Sequence, residues 1–315
     1  MMPLDIEVEK LLAAMAAAPG PKLGEASAAE MRAVEAVMAE QMPAGPAVES
    51  VLDIEIPSGA ATIAARLYRD SPEPRALMVY YHGGGWTLGG IALIDGAMRR
   101  LVKESGVAVL SVDYRLAPEH VFPAAVEDAL VAARWASEHR EELVGWDAPL
   151  LVGGESAGGN LAAVVSQLVR NAGFDIAAQL LACPCVASYP DSPSMRSIES
   201  PFPPPGAIGW FFDQYIPDAQ TRSDPRFAPL EQKDLGGLPP AFVATAEYDS
   251  LREQGEQYAE RLAAAGISCE AKRYLGTFHG FFELDGGLRH SHDLIADFSR
   301  FLDTALDGTA PKVPA

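Results

Sequence analysis

The middle of the chain reads Leu150-Leu151-Val152-Gly153-Gly154-Glu155-Ser156-Ala157-Gly158. The apolar run before Gly154 is typical of a buried strand, and residues 161–169 are typical of a helix. A Gly-x-Ser-x-Gly pentapeptide between a strand and a helix predicts a nucleophile elbow, which exposes the serine hydroxyl above a sheet. The glycines fit because the turn leaves no room for side chains, and the helix N-terminus favours a developing negative charge. The stretch therefore predicts an α/β fold with Ser156 as nucleophile.

Apolar runs alternate with helix-like segments on both sides of this stretch. Most of these runs are continuous, which is typical of parallel strands buried on both faces, and the turn Pro57-Ser58-Gly59-Ala60 indicates one hairpin. The pattern predicts a mostly parallel eight-stranded sheet with helices on both faces. The predicted strands are residues 51–56, 62–69, 76–81, 107–112, 150–152, 177–182, 241–246 and 268–274, with helices near 92–104, 123–139, 157–171, 251–265 and 288–306.

Two segments fall outside this alternation. Residues 1–45 contain two stretches rich in Ala, Glu and Met, which favour helix. Residues 184–238 contain many prolines, no strand pattern and the aromatic run Trp210-Phe211-Phe212, and a connection of this length is usually functional. We interpret both segments as parts of a cap. The predicted division is residues 1–45 as the N-terminal part of a helical cap, 46–183 as catalytic core, 184–225 as cap insertion and 226–315 as core continued.

A second motif, His82-Gly83-Gly84-Gly85-Trp86, follows the third predicted strand. Consecutive glycines leave backbone N–H groups uncovered and let a ligand approach closely. Acyl-bond cleavage passes through a tetrahedral oxyanion, which needs two or three positioned donors. We predict that these donors are the amides of Gly83, Gly84 and Ala157. His82 precedes the serine in the chain, so we assign it a structural role.

A serine nucleophile needs a base, and in this fold the histidine comes last in the chain. His279 lies in a loop after the eighth predicted strand, where it can reach the same edge of the sheet as Ser156. His290 and His292 fall on the final helix, and we expect them on its solvated face. The sequence therefore predicts His279 as the base.

The base needs a carboxylate to orient it, and two acids follow the seventh predicted strand. Asp249 lies further into the loop than Glu247, just before a predicted helix. We predict Asp249 as the orienting acid, with Glu247 as the alternative. Asp249 can also cap the helix that follows, and the two roles are compatible.

Four motifs together resemble the hormone-sensitive-lipase-like family of α/β-hydrolases, the bacterial esterases and lipases of the His-Gly-Gly-Gly type. The resemblance covers about residues 75 to 300. It rests on Tyr81 to Trp86, Asp113-Tyr114-Arg115-Leu116-Ala117-Pro118-Glu119, Gly154 to Asn160, and Asp249-Ser250-Leu251-Arg252.

This resemblance implies an α/β-hydrolase fold with a helical cap. It also implies a carboxylesterase that cleaves short- to medium-chain esters through a triad of Ser156, Asp249 and His279 and an acyl-enzyme. No metal or organic cofactor is expected. The family elbow commonly has Asp where this chain has Glu155, and Pro commonly stands where this chain has Ser250. We expect the longer Glu155 side chain to alter a hydrogen bond beside the site.

Other functions remain open at this point. An amidase or an acyltransferase would use the same residues, because all three reactions share an acyl-enzyme. A non-catalytic receptor for a small ligand is a further alternative, although the plant receptors that resemble this family lack the histidine. The aromatic residues Trp210, Phe211 and Phe202 either line a substrate pocket or pack the cap onto the sheet.

Composition excludes several partners. The net charge of −19 repels phosphate, so we expect neither nucleic acid nor anionic membranes as partners. No stretch reaches 18 apolar residues, so no membrane-spanning helix is expected. Three cysteines without spaced pairs indicate buried thiols rather than a disulfide framework. The acidic N-terminus lacks signal-peptide features, which favours a cytoplasmic protein. The predicted partner is a small-molecule ester, and the resemblance also admits a homodimer.

Overall fold

The computed structural model of the protein describes residues 2–18, 20–188, 198, 200–204, 206–283 and 288–307. Within these ranges it contains an eight-stranded sheet. All eight predicted strands are present, and their ends differ from the predicted ones by at most four residues. The strands are β1 (Ser50–Ser58), β2 (Ala61–Arg69), β3 (Leu77–Tyr81), β4 (Ala108–Asp113), β5 (Leu150–Glu155), β6 (Ala178–Ala182), β7 (Ala241–Tyr248) and β8 (Cys269–Phe278).

The sheet has the order β1-β2-β4-β3-β5-β6-β7-β8. Strand β2 runs antiparallel to both β1 and β4, and every other neighbouring pair is parallel. The β1–β2 hairpin turns at Gly59, whose φ of 62° suits a residue without a Cβ. The mostly parallel sheet that the sequence predicts is therefore confirmed.

Helices follow most of the strands, and their ends match local signals in the sequence. Helix α2 begins with a capping box between Ser27 and Glu30, and α3 ends at Gly106 in the left-handed conformation. The helices are α1 (Ile6–Ala17), α2 (Ala28–Gln41), α3 (Ile91–Ser105), α4 (Ala124–Glu138), α5 (Arg140–Val144), α6 (Ala157–Leu168), α7 (Ala207–Tyr215), α8 (Arg252–Ala264) and α9 (Arg289–Ala305). None in the described ranges is long and apolar enough to cross a membrane.

The sheet separates two apolar cores. Alternate residues of β3 point to opposite sides, with Val79 and Tyr81 in one core and Met78 and Tyr80 in the other. The first core contains the buried faces of α4, α6 and α8, and the second contains those of α3 and α9. Both faces of β3 are therefore shielded from water, which explains its continuous apolar run.

The predicted site residues follow strands that end at one edge of this sheet. Strands β3, β5, β7 and β8 are parallel neighbours in the order β3-β5-β6-β7-β8, so the loops after them emerge on the same side. Ligands of open α/β sheets bind outside the carboxyl ends of such strands. The fold thus brings together the loops after β3 and β8, which lie about 200 residues apart in the chain.

The predicted division into a core and a two-part cap stays a prediction. The structure describes α1, α2 and α7 in the two segments assigned to the cap. Residues 189–197, 199 and 205 of the proposed insertion lie outside the described residues.

The tight packing of the elbow predicts the effect of adding one methyl group. In Gly158→Ala a Cβ would lie 1.8 Å from the carbonyl oxygen of Tyr81, whereas nothing lies within 4 Å of a Cβ at Gly209 in α7. We expect Gly158→Ala to lower the free energy of unfolding by about 3 kcal/mol or more. Gly209→Ala should leave it equal or raise it by up to about 1 kcal/mol. Urea unfolding of both variants measures the difference, and equal stabilities would contradict the packing described here.

Candidate active site

Ser156 sits in the sharp turn between β5 and α6. Its φ of 58° and ψ of −115° lie outside the regions that residues with a side chain normally occupy. The amide of Ser156 donates to the carbonyl of Ala182 at 2.9 Å, and the carbonyl of Ser156 accepts from the amide of Cys185 at 3.1 Å. These bonds to the last residue of β6 and to the segment after it hold the strained conformation in place.

Glycine is required on both sides of the serine. A Cβ on Gly154 would lie 2.3 Å from the carbonyl carbon of Gly158. A Cβ on Gly158 would approach the carbonyl oxygen of Tyr81 even more closely. The structure therefore supports the steric reading of the Gly-x-Ser-x-Gly pentapeptide.

Three predicted side chains form a hydrogen-bonded series with His279 in the middle. The Nε2 atom of His279 lies 2.9 Å from Oγ of Ser156, and its Nδ1 atom lies 2.9 Å from Oδ2 of Asp249. His279 and Asp249 are buried, with 5% and 0% of their surface exposed. The other oxygen of Asp249 accepts the amide of Leu251 at 2.7 Å. This bond fixes the carboxylate and caps the turn before α8.

The environment of His279 favours its protonated form. Burial alone would lower the pKa of the imidazole. The negative charge and hydrogen bond of Asp249 outweigh this effect, and Glu155 adds to them, so the pKa of His279 is raised above its usual value. The imidazole is therefore a stronger base than a free histidine side chain.

The alternative acid, Glu247, is engaged elsewhere. Its Oε1 atom accepts the amide of Met2 and its Oε2 atom accepts the amide of Gly276, both at 2.9 Å. The side chain thus ties the N-terminal segment to β8. The structure brings Asp249, and not Glu247, to the imidazole.

The glycine loop after β3 differs from the prediction in one respect. The amide of Gly83 donates to both carboxylate oxygens of Glu283, at 2.8 and 3.0 Å. Among the described residues, the amides of Gly84, Gly85 and Ala157 donate to no acceptor. All three of these residues line the cavity beside Ser156. The predicted donors were Gly83, Gly84 and Ala157. The amide of Gly83 is already hydrogen-bonded, and the amide of Gly85, which has no acceptor among the described residues, was not predicted.

His82 and Tyr114 support this loop from below. The two rings are stacked with centroids 4.3 Å apart, and the hydroxyl of Tyr114 donates to the carbonyl of His82 at 2.8 Å. The Nδ1 atom of His82 lies 2.7 Å from the carbonyl oxygen of Gly83. His82 is fully buried, and its position agrees with the structural role assigned to it.

Helix α2 holds the other end of the loop. Arg32 donates to the carbonyl of Thr87 at 2.9 Å and also to the carbonyl of Ala117. The carboxylate of Glu35 accepts the amide of Gly89 at 3.1 and 3.2 Å. The N-terminal segment therefore contacts the glycine loop directly, through two charged side chains that the sequence analysis did not single out.

A cavity of about 920 Å³ opens onto Ser156 and His279. Its wall includes Phe202 and Phe211, as predicted, together with apolar side chains of α1 and α2 such as Leu12, Met31 and Val34. Trp210 is not part of the wall, so its assignment to the pocket is wrong. It stands edge-on to Phe211, with ring centroids 5.1 Å apart, because neighbouring residues of a helix point in different directions.

One group of side chains has the composition of a metal site. The ligand atoms of Cys183, Asp249 and His279 lie within 4.8 Å of one another. His279 is already hydrogen-bonded to Asp249 through Nδ1 and to Ser156 through Nε2. Burial raises the pKa of the Cys183 thiol well above its usual value, with a smaller contribution from Asp249, so the thiol stays protonated. A protonated thiol is a poor metal ligand.

Two further expectations need correction. His290 is buried with 4% of its surface exposed, and its Nε2 atom lies 3.0 Å from the carbonyl oxygen of Leu275, so it is not on a solvated face. His292 is partly exposed and contacts Glu104. Cys183 and Cys185 are buried as expected, but Cys269 is only partly buried.

Sequence reasoning missed Glu283, Gly85, Arg32 and Glu35. Glu283 is four residues after His279, and Glu155 is next to Ser156. Glu155, which stands where the family elbow commonly has Asp, was the available signal for this part of the site. Arg32 and Glu35 lie on a helix without any motif, so nothing in the sequence marked them.

Comparison with known proteins gives matches over most of the chain. A family described by the α/β-hydrolase fold matches residues 78–283. The carboxylic ester hydrolase LipN of Mycobacterium tuberculosis is 44% identical over 276 residues, covering 83% of this chain and 72% of LipN. The arylesterase of Saccharolobus solfataricus is 36% identical over 294 residues, covering 89% of this chain and 92% of the arylesterase.

Solved structures agree with these matches. An ester hydrolase from the metagenome of Lake Arreo superposes with a TM-score of 0.89 at 37% identity, covering 96% of this chain and 99% of that protein. A hyperthermophilic esterase from the archaeon Pyrobaculum calidifontis superposes with a TM-score of 0.88 at 36% identity, with the same coverage of both chains.

The contact between His279 and Asp249 predicts how the imidazole titrates. We expect the pKa of His279 to lie above that of a free histidine, and Asp249→Asn to lower it because the negative charge is lost. A histidine-detected NMR titration measures both values, with the resonances assigned by comparison with His279→Gln. An unchanged pKa in Asp249→Asn would contradict the charge effect.

Proposed function

This chain belongs to the α/β-hydrolase family of carboxylic ester hydrolases, and we propose that it cleaves short- to medium-chain acyl esters through Ser156, His279 and Asp249. The observation that carries the proposal is the pair of 2.9 Å contacts that join the serine hydroxyl, the imidazole and the buried carboxylate. This arrangement supports nucleophilic catalysis because each group activates or orients the next.

In the first half of the reaction Ser156 attacks the carbonyl carbon of the ester. Its proton passes to Nε2 of His279, and Asp249 keeps the other imidazole nitrogen protonated and stabilises the imidazolium. The carbonyl oxygen becomes an oxyanion. We propose that the amides of Gly84, Gly85 and Ala157 stabilise it, because these amides line the cavity and donate to no other described group.

The collapse of this intermediate releases the alcohol and leaves an acyl-enzyme. His279 returns its proton to the leaving oxygen, so the alcohol departs as a neutral molecule. A water molecule then gives up a proton to His279 and attacks the acyl carbonyl carbon. The second tetrahedral intermediate collapses with proton transfer back to Ser156, which releases the carboxylic acid and restores the hydroxyl.

The shape of the cavity supports an ester of limited length. A volume of about 920 Å³ is within the range of small-molecule sites, and the wall is largely apolar. Phe202 and Phe211 on one side and helices α1 and α2 on the other border the space above Ser156. An apolar acyl or alcohol chain is the group that such a wall favours.

Removal of the nucleophile tests the reaction class. We expect Ser156→Ala to retain its fold and to lower turnover by several orders of magnitude, about 10⁶-fold if subtilisin is a guide. Hydrolysis of a series of p-nitrophenyl esters from acetate to palmitate measures the effect, and the wild type should prefer the shorter chains. Substantial activity in the folded variant would remove Ser156 from the mechanism. Preference for palmitate would refute the proposed chain length.

Replacement of the two neighbouring acids tests the assignment of the carboxylate. We expect Asp249→Asn to lower kcat by about 10⁴-fold, because an asparagine stabilises the wrong tautomer of His279. Glu247→Gln should leave kcat within a few fold of the wild-type value, since its partners are backbone amides at the N-terminus and in β8. The same ester assay compares the two variants. A larger loss in Glu247→Gln would show that the acid is wrongly assigned.

A further inference from the structure

Two carboxyl groups, Glu155 and Glu283, line the cavity beside Ser156 and take no part in the reaction described above. Glu155 is almost fully buried, with 1% of its surface exposed, and Glu283 is partly buried. A buried carboxylate is unfavourable unless it is paired or hydrogen-bonded. The contacts of these two groups therefore need an explanation.

The two side chains form a chain of contacts from the elbow to the glycine loop. Glu155 accepts the amide of Glu283 at 2.7 Å and the amide of Phe282 at 3.3 Å. Glu283 in turn accepts the amide of Gly83 and, at 3.0 Å, the hydroxyl of Tyr80. Glu155 thus fixes the backbone of Glu283, and the side chain of Glu283 fixes the loop.

The position of Gly83 determines where the next two amides point. The carboxylate of Glu283 occupies the amide of Gly83, and its Oε2 atom lies 2.8 Å from where a Cβ of Gly83 would be. Gly84 and Gly85 follow with φ values of 107° and 59°, and their amides donate to no acceptor among the described residues. Oxyanion donors must be positioned before the reaction to be effective.

The two carboxyl groups also share one environment. Burial raises the pKa of Glu155 to about 8, and the nearby charge of Glu283 contributes to the increase. Burial also raises the pKa of Glu283, although its hydrogen bonds to Gly83 and Tyr80 oppose the increase. Interacting carboxyl groups lose their protons in two separate steps, because the second negative charge is repelled by the first.

Other titratable groups surround the pair. Burial raises the pKa values of Tyr80 and Tyr114 well above the usual value. It does the same to the pKa of the Cys183 thiol. Burial lowers the pKa of His279, on the loop that carries Glu283, but the charges of Asp249 and Glu155 outweigh burial, so this pKa is raised above its usual value. Burial raises the pKa of Glu35 in α2, and the charge of Glu35 contributes to the raised pKa of Tyr114.

We propose that Glu283 is a positioning residue for the oxyanion loop and that Glu155 and Glu283 hold one proton between them in the active enzyme. With that proton the pair carries a single negative charge. Its loss would place a second negative charge beneath the amides that must stabilise the oxyanion, and repulsion would move Glu283 away from Gly83. This inference rests on the proposed function, which supplies the oxyanion.

The proposal predicts an alkaline limb in the pH dependence of kcat/KM. The wild-type value should fall about tenfold for each pH unit above the second ionisation of the pair. In Glu283→Gln and in Glu155→Gln the amide mimics the protonated carboxyl group. Both variants should lose the alkaline limb, whatever their activity near pH 7. Glu283→Ala should lower kcat by about tenfold with little change in KM, because the loop loses its anchor.

The experiment uses the full chain, an aliphatic ester and a pH-stat, so that no chromophore titrates in the same range. Glu247→Gln is the matched control, because Glu247 also accepts two backbone amides but lies away from the loop. This control should retain the alkaline limb. Circular dichroism at each pH and recovery of activity after return to neutral pH establish that the limb is not unfolding.

A second readout does not depend on turnover. Infrared difference spectra should show a protonated carboxyl group near pH 7 that is lost in the range of the alkaline limb and is absent from both glutamine variants. The proposal is overturned if the wild type shows no such group, if either glutamine variant keeps the alkaline limb, or if Glu283→Ala lowers stability alone. Failure of the proposed function is recognised separately, because Ser156→Ala would then retain wild-type turnover.

Discussion

The close approach of the elbow backbone to the carbonyl of Tyr81 is the constraint on which the site depends. Gly158 allows α6 to begin directly against β3, and Gly154 allows β5 to end there. The turn between them forces Ser156 into a positive φ that the bonds to Ala182 and Cys185 maintain. The hydroxyl therefore stands above the sheet, at the N-terminus of a helix, where negative charge is stabilised.

The parallel strands then bring the partners of the serine to the same edge. Asp249 follows β7 and His279 follows β8, and both side chains are buried. Burial works against a charged imidazole, but the carboxylate at 2.9 Å more than compensates for it. The same burial keeps neighbouring groups neutral, as the raised pKa of the Cys183 thiol shows. Low polarity and a single well-placed charge together give a basic histidine beside a protonated hydroxyl.

The glycine loop shows how several elements position one set of donors. Glu283 holds the amide of Gly83, Tyr114 holds the carbonyl of His82, and Arg32 and Glu35 hold Thr87 and Gly89. These anchors come from the loop after β8, the segment after β4 and helix α2. A loop rich in glycine has many accessible conformations, so its order has to come from contacts outside it. Helices α1 and α2 thus border the cavity, and α2 also contacts the glycine loop through Arg32 and Glu35.

The amino-acid sequence was sufficient to predict the eight strands, the elbow, and Ser156, His279 and Asp249 as the side chains that come together. These features depend on local rules, such as the apolar run before Gly154, the steric need for glycine and the order of residues in the chain. Four features became visible only in the folded molecule: Gly83 is bonded to Glu283, Trp210 is not part of the cavity wall, His290 is buried, and α2 reaches Gly89. Each of these depends on the distance or direction of a group far away in the chain. Hydrophobic pattern and motif spacing carry no such information, because they describe neighbours in sequence, whereas hydrogen bonds and burial depend on neighbours in space.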